Sequence, residues 1–140
     1  NAFLRLTLYY IGQGQNDLAV NTLDAMEEKL PNKLLSMDYG LLYEISNLYL
    51  RAGAKDKFNK FSQDVEKQAL AKLEKDPKDV QSYYNPYRIL IDIYEAQGRN
   101  DKLLEVLQKL ETIFSDDPNV KTNIQKYRNL VQGIDTSKVK

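Results

Sequence analysis

With 140 residues, 42% of them hydrophobic and 29% charged, the chain is long enough to bury a core without disulfides or metal and too apolar to stay disordered. Twenty basic residues balance twenty acidic ones and lie scattered among them, which argues against nucleic acid, because phosphate binding draws on clustered Lys and Arg. Cysteine and histidine are both absent, so Cys/His zinc sites, thiol nucleophiles and histidine general bases are excluded, and no cofactor is expected.

The chain opens on Asn1 and Ala2, read as a tag remnant on a fragment of a longer protein, and enters an apolar helical pattern at Phe3, Leu4 and Leu6. A first helical hairpin is expected over residues 3–31, with Leu6 and Tyr10 on its first helix and Ala19, Leu23, Met26 and Leu30 on its second. A second spans 36–76, carrying Leu42, Ile45 and Tyr49, then Phe58, Phe61, Val65 and Ala69. A third spans 82–116, with Tyr87, Leu90, Ile91 and Tyr94 answered by Leu103, Leu107, Leu110 and Phe114. Pro31, Pro77 and Pro118 punctuate the connections, where proline stops a helix. Val120, Ile124, Tyr127, Val131 and Ile134 then mark a capping helix over 119–134, followed by a polar tail, 135–140. No run approaches the roughly 18 apolar residues of a membrane-spanning helix, so no membrane insertion by this stretch is expected.

Within this order one pattern recurs: Tyr, Gly four positions on, Asp three further. It appears as Tyr10, Gly14, Asp17; Tyr49, Gly53, Asp56; and Tyr94, Gly98, Asp101. Each Gly is expected to end one helix and open a tight turn into the next, using its freedom at positive φ. Asn16 and Asn100 are the expected N-caps, and the three Asp residues place negative charge in a first turn.

These residues resemble the tetratricopeptide repeat, a 34-residue helical hairpin with Tyr, Gly, a small residue and a closing Pro at set positions. The first unit matches best, through Leu6, Tyr10, Gly14, Ala19, Leu23 and Pro31. Phe58 and Leu103 replace the small residue in the other two, and the glycine spacings, 39 and 45 residues, mark the repeats as elongated. The resemblance implies an all-α fold, an α-α superhelix of about three hairpins plus the capping helix. It also implies a protein- or peptide-binding scaffold with no catalytic function. A narrower resemblance joins the run Leu41 to Lys57 to the tail of bacterial glycosyltransferase-like membrane proteins. That implies an accessory domain lying outside the cytoplasmic membrane.

In the tetratricopeptide family, peptides commonly lie along the first helices. Carried over by register from each Gly, the candidate groove positions are Tyr43, Asn47 and Leu50, then Asn85, Arg88, Asp92 and Glu95. Leu4, Leu8 and Ile11 are the first unit's equivalents, read either as groove or as the seat of a preceding helix. Self-association through exposed terminal helices is the alternative function, with a homo-oligomer as its product. Of the ten tyrosines, Tyr10, Tyr49, Tyr87, Tyr94 and Tyr127 fall on core stripes, whereas Tyr39, Tyr43, Tyr83 and Tyr84 are the candidates for exposed contacts. The segment Gln81 to Tyr87 reads as an ordered loop or a helix boundary. Lysines 55, 57, 60, 72, 75 and 78 alternate with acids and read as a solvated face, and the adjacent pairs Glu27/Glu28 and Asp116/Asp117 point apart, unsuited to acid–base work.

Overall fold

Three times, a tyrosine carbonyl near the end of one helix accepts the backbone N–H of the residue that starts the next. Gln15 N donates to Tyr10 O at 2.8 Å, Ala54 N to Tyr49 O at 2.9 Å and Arg99 N to Tyr94 O at 2.9 Å. Beside each bond the glycine N–H donates three residues back, to Ile11, Leu50 and Glu95. This paired pattern is the Schellman helix ending, and it needs a left-handed residue at the glycine position. Gly53 and Gly98 supply it at φ +81° and +69°. The Tyr-to-Gly spacing of the sequence is therefore the spacing of that motif.

The same residue that closes one helix opens the next. Gln15, Ala54 and Arg99 accept, through their carbonyls, the N–H groups of Ala19, Phe58 and Leu103, all three 0–1% exposed. A two-helix hairpin thus turns in two or three residues. Gln15 and Arg99 are the N-caps, without side-chain capping bonds, so the expectation that Asn16 and Asn100 cap is corrected. The Schellman turn already commits the preceding residue to both helices, which pushes each Asn one position inside.

The computed structural model describes residues 2–31 and 38–133. Among them are seven α-helices: α1 (Ala2–Gly12), α2 (Asn16–Lys29), α3 (Tyr39–Arg51), α4 (Lys55–Lys75), α5 (Pro86–Gln97), α6 (Asn100–Glu111) and α7 (Pro118–Val131). The fold is all-α. Asn1, the expected second-hairpin start at 36, the cap end at 134 and the tail 135–140 lie outside the described residues. Contacts divide the chain into two compact units, residues 1–68 and 69–140, with the boundary inside α4.

In the first unit α1 and α2 form a hairpin, and α3 packs against both. The stack of Tyr49 on Phe61, centroids 5.5 Å apart and planes at 14°, joins α3 to α4. Ala19, Leu23 and Met26 of α2, Ile45 and Tyr49 of α3, and Phe58 and Val65 of α4 are all at most 1% exposed. Burying each large side chain stabilises the fold by roughly 1.5–3 kcal/mol. On α1 the buried residue is Thr7, while Leu6, expected in the core, is 43% exposed. Because α1 is apolar nearly all round, periodicity alone does not select its inner face. Thr7 tolerates burial because its hydroxyl donates to Phe3 O at 2.8 Å.

In the second unit α5 and α6 form the hairpin and α7 packs on α6. Ile89, Leu90, Ile93 and Tyr94 are buried on α5, and Leu103, Val106 and Leu107 on α6. Asp117 caps α7, accepting from Asn119 N at 2.8 Å, with Pro118 in the first turn. Val120, Ile124 and Tyr127 are buried, whereas Val131, on the same expected stripe, is 46% exposed. A fourth left-handed glycine, Gly133, follows. No described helix is long and apolar enough to cross a membrane.

Candidate functional site

The start of α5 is built by a chain of local hydrogen bonds. Asp79 accepts from the backbone N–H of Ser82 at 3.2 Å and from its hydroxyl at 2.7 Å, and these bonds hold the carboxyl below its ordinary value. Asn85 donates through Nδ2 to Ser82 O at 3.0 Å and accepts from Arg88 N at 3.0 Å, capping the helix. Pro86 occupies the first turn, where its missing N–H is no loss. Tyr87 donates its hydroxyl to Pro77 O, and burial, followed by the charge of Asp76, pushes that hydroxyl's pKa up. Of the two readings of Gln81 to Tyr87, both hold: an ordered loop leads into a capped helix boundary.

Arg88 leaves α5 toward this loop. Its Nη1 donates to Tyr83 O at 2.7 Å and its guanidinium lies 4.5 Å from the centre of the Tyr83 ring. Tyr83, which is 66% exposed, meets Tyr84 edge-on at 4.8 Å. A pinned loop therefore presents a fixed aromatic and a cation side by side.

Beside them is a cleft of about 350 Å³. Val80, Tyr87, Ile91, Leu110 and Phe114 make its apolar lining, and Asn85, Arg88 and Asp92 its polar one. Three of the four candidate positions on α5 and its N-cap come together here, because residues three and four apart share a helix face. Glu95, one turn on, is exposed and outside the lining.

The positions on α3 behave differently. Tyr43 is 3% exposed, so its ring is packed inside, and Asn47 and Leu50 are half-buried. Tyr39 is buried as well, which leaves Tyr83 and Tyr84 as the accessible members of the four tyrosines expected at the surface. On α1, Leu4 and Ile11 are half-buried and Leu8 is exposed.

The chain matches no protein-family model and no curated protein.

Sequence periodicity assigns Leu110 and Phe114 to the core stripe of α6, yet both line the cleft. The helix ends at Glu111, and the Thr112 hydroxyl turns back to Lys109 O at 2.6 Å. Phe114 is thereby placed in the turn, 38% exposed. The signal available in the sequence was the β-branched pair Thr112 and Ile113 ahead of Ser115, Asp116, Asp117 and Pro118, a helix-stop composition.

Several other charged groups hold structure. Glu27 takes Lys60 at 2.7 Å and Lys57 at 3.1 Å, and Lys57 also stands 3.7 Å from Asp24. Two of the lysines read as a solvated face thus tie α4 to α2. Burial works to raise the Glu27 pKa, but the hydrogen bonds and charges of the two lysines outweigh it and leave the carboxyl below its ordinary value. Asp117 serves as a cap. Among the described residues no group of three or more acidic side chains is arranged to hold a metal ion.

Proposed function

We propose that this chain is a peptide-binding module of the tetratricopeptide type, and that the cleft of the second unit takes a side chain from an extended segment of a partner protein. The observation that carries the reading is the convergence of Asn85, Arg88 and Asp92 with Ile91, Leu110 and Phe114 on one cleft of about 350 Å³. Its size lies at the lower end of the roughly 300–1,000 Å³ typical of ligand sites, and an apolar lining with a few polar groups is their usual chemistry. The family reading is supported by three Tyr-to-Gly Schellman turns in register, each joining two helices of a hairpin. The apolar lining accepts a large aliphatic or aromatic side chain, and Arg88 and Asp92 contact the partner's polar groups. Tyr83, held against Arg88, adds rigid contact area, as aromatic side chains do at binding hot spots. The role is a scaffold's: no cofactor and no reaction is assigned to the site.

The test is selection from a displayed random-peptide library, followed by titration of the enriched peptide into isotope-labelled protein. The expected result is amide shifts grouped on residues 80–92 and 110–114, and binding lost in the folded double variant Arg88→Ala/Asp92→Ala. If no peptide is enriched, or the double variant binds equally well, the cleft is not a peptide site.

A further inference from the structure

The first two hairpins align residue by residue when Gly14 is placed on Gly53, and the aligned helices α1 and α3 differ in how far the same face is covered. Thr7 and Ser46 are equivalent, and both are fully buried. One position earlier, Ile45 is 1% exposed and its equivalent Leu6 is 43% exposed. Two positions later, Leu48 is 8% exposed and its equivalent Tyr9 is 59% exposed. The preceding hairpin packs on α3: α3 meets both α1 and α2, and Tyr49 Oη, on the turn that follows Ile45, donates to Asp24 on α2 at 2.8 Å.

We infer that the Leu6 and Tyr9 face of α1, extended by Leu18, is a docking surface for an amphipathic helix that seats there as α2 seats on α3. Scattered exposed leucines need no explanation. A face whose repeat equivalent is buried does, because an apolar stripe left open on one repeat and closed on the next marks an interaction site.

The internal alignment also sets the chemistry of the occupant. Tyr10 stands where Tyr49 stands, so the incoming helix carries a carboxylate in the place of Asp24 to accept its hydroxyl. Lys57 and Lys60 of the second hairpin, which hold Glu27, are replaced in the first by Leu18 and Asn21, and Leu18 is 42% exposed. An apolar side chain, not a second carboxylate, therefore belongs at the position of Glu27. The surface is also too small for a second copy of the chain. A handful of side chains falls well short of the roughly 20–30 residues per side of a standard stable interface, and one helix suffices to cover them. This inference does not depend on the cleft of the second unit.

The probe is a fluorescein-labelled peptide of residues 16–30 carrying Glu27→Leu, titrated into the full chain and read by anisotropy. Saturable binding is expected, at least tenfold weaker in Leu6→Lys/Tyr9→Lys and several-fold weaker in Tyr10→Phe. Both lysine substitutions replace exposed side chains, so the double variant keeps the wild-type circular dichroism and melting temperature. Leu18→Lys, on the other helix, is a second variant expected to weaken binding should the first fail to fold. Absence of saturable binding, or equal binding by the folded lysine variants, overturns the inference. So does a concentration-dependent mass in sedimentation that Leu6→Lys/Tyr9→Lys abolishes, because the occupant would then be a second copy.

Discussion

The Tyr49 hydroxyl donates to Asp24 Oδ1 at 2.8 Å, tying the first helix of the second hairpin to the second helix of the first. The ring behind that hydroxyl stacks on Phe61, so one side chain couples a polar inter-hairpin contact to the apolar packing of α3 on α4. Tyr49→Phe removes the first and keeps the second. It is expected to lower stability by about 1 kcal/mol, the net worth of one hydrogen bond, whereas Tyr49→Ala costs roughly 3–5 kcal/mol, like other large-to-small aromatic changes in a core. Urea denaturation of the two variants checks the split.

The same tyrosine makes stability fall in alkali. Burial first, then the hydrogen bond and charge of Asp24, hold its hydroxyl well above the ordinary value of 10.0. Lys57 is raised too, by its bond to Glu27. A group whose folded pKa is raised contributes stability that is complete below its unfolded value and is lost as pH climbs past it. Unfolding free energy is thus expected to drop above about pH 10, by up to about 1.4 kcal/mol per pH unit for each proton released. Tyr49→Phe should show a shallower fall when denaturation is repeated across that window.

At the acid end the sign reverses. Glu27 sits below its ordinary value of 4.5, so the stability it contributes is present above that value and is lost as pH falls through the lowered one. Glu27→Gln is expected to flatten the acid limb of the stability profile below about pH 4.5 and, because Glu27 also raises Lys57, to make the alkaline limb somewhat shallower. Denaturant titrations of wild type and variant at a series of acidic pH values decide it.

Glycine substitutions separate turn from helix. Gly98 is left-handed at φ +69°, and an added Cβ would meet nothing within 4 Å, so the cost of Gly98→Ala is conformational and amounts to about 1 kcal/mol or somewhat more. Gly98→Asn is expected to cost less, since Asn visits that region more readily. Gly12, in α1 and equally open, lacks that constraint, and Gly12→Ala is expected to stabilise by up to about 1 kcal/mol. Melting temperatures of the three variants give the order directly.

Capping offers a matched comparison. Asn85→Ala and Asp117→Ala each remove a side chain that accepts a first-turn N–H, at a cost of about 1 kcal/mol each. Asn16→Ala and Asn100→Ala replace residues one position inside their helices and are expected to change stability by no more than about 0.5 kcal/mol. Equal losses at all four positions would contradict the assignment of Gln15 and Arg99 as the caps.

What the chain wrote locally was legible in its order of residues. Tyr10, Tyr49 and Tyr94, each four before a glycine, specify a Schellman ending within six residues, and such a motif depends on little beyond its own backbone. The all-α class, the hairpin order and most of the core stripes follow from those turns and from periodicity. Packing decided the rest. Whether Leu6 or Thr7 faces inward on α1 depends on which neighbour arrives, since both faces of that helix are apolar enough to be buried. Tyr43 reads as a groove position by register and is buried in the fold, while Phe114 reads as core and lines a cleft because α6 stops a turn early. Asp24 and Tyr49, 25 residues apart, carry no mark of each other in sequence. Their bond exists because two helices meet, and a contact between distant residues is fixed only by the geometry that brings them together.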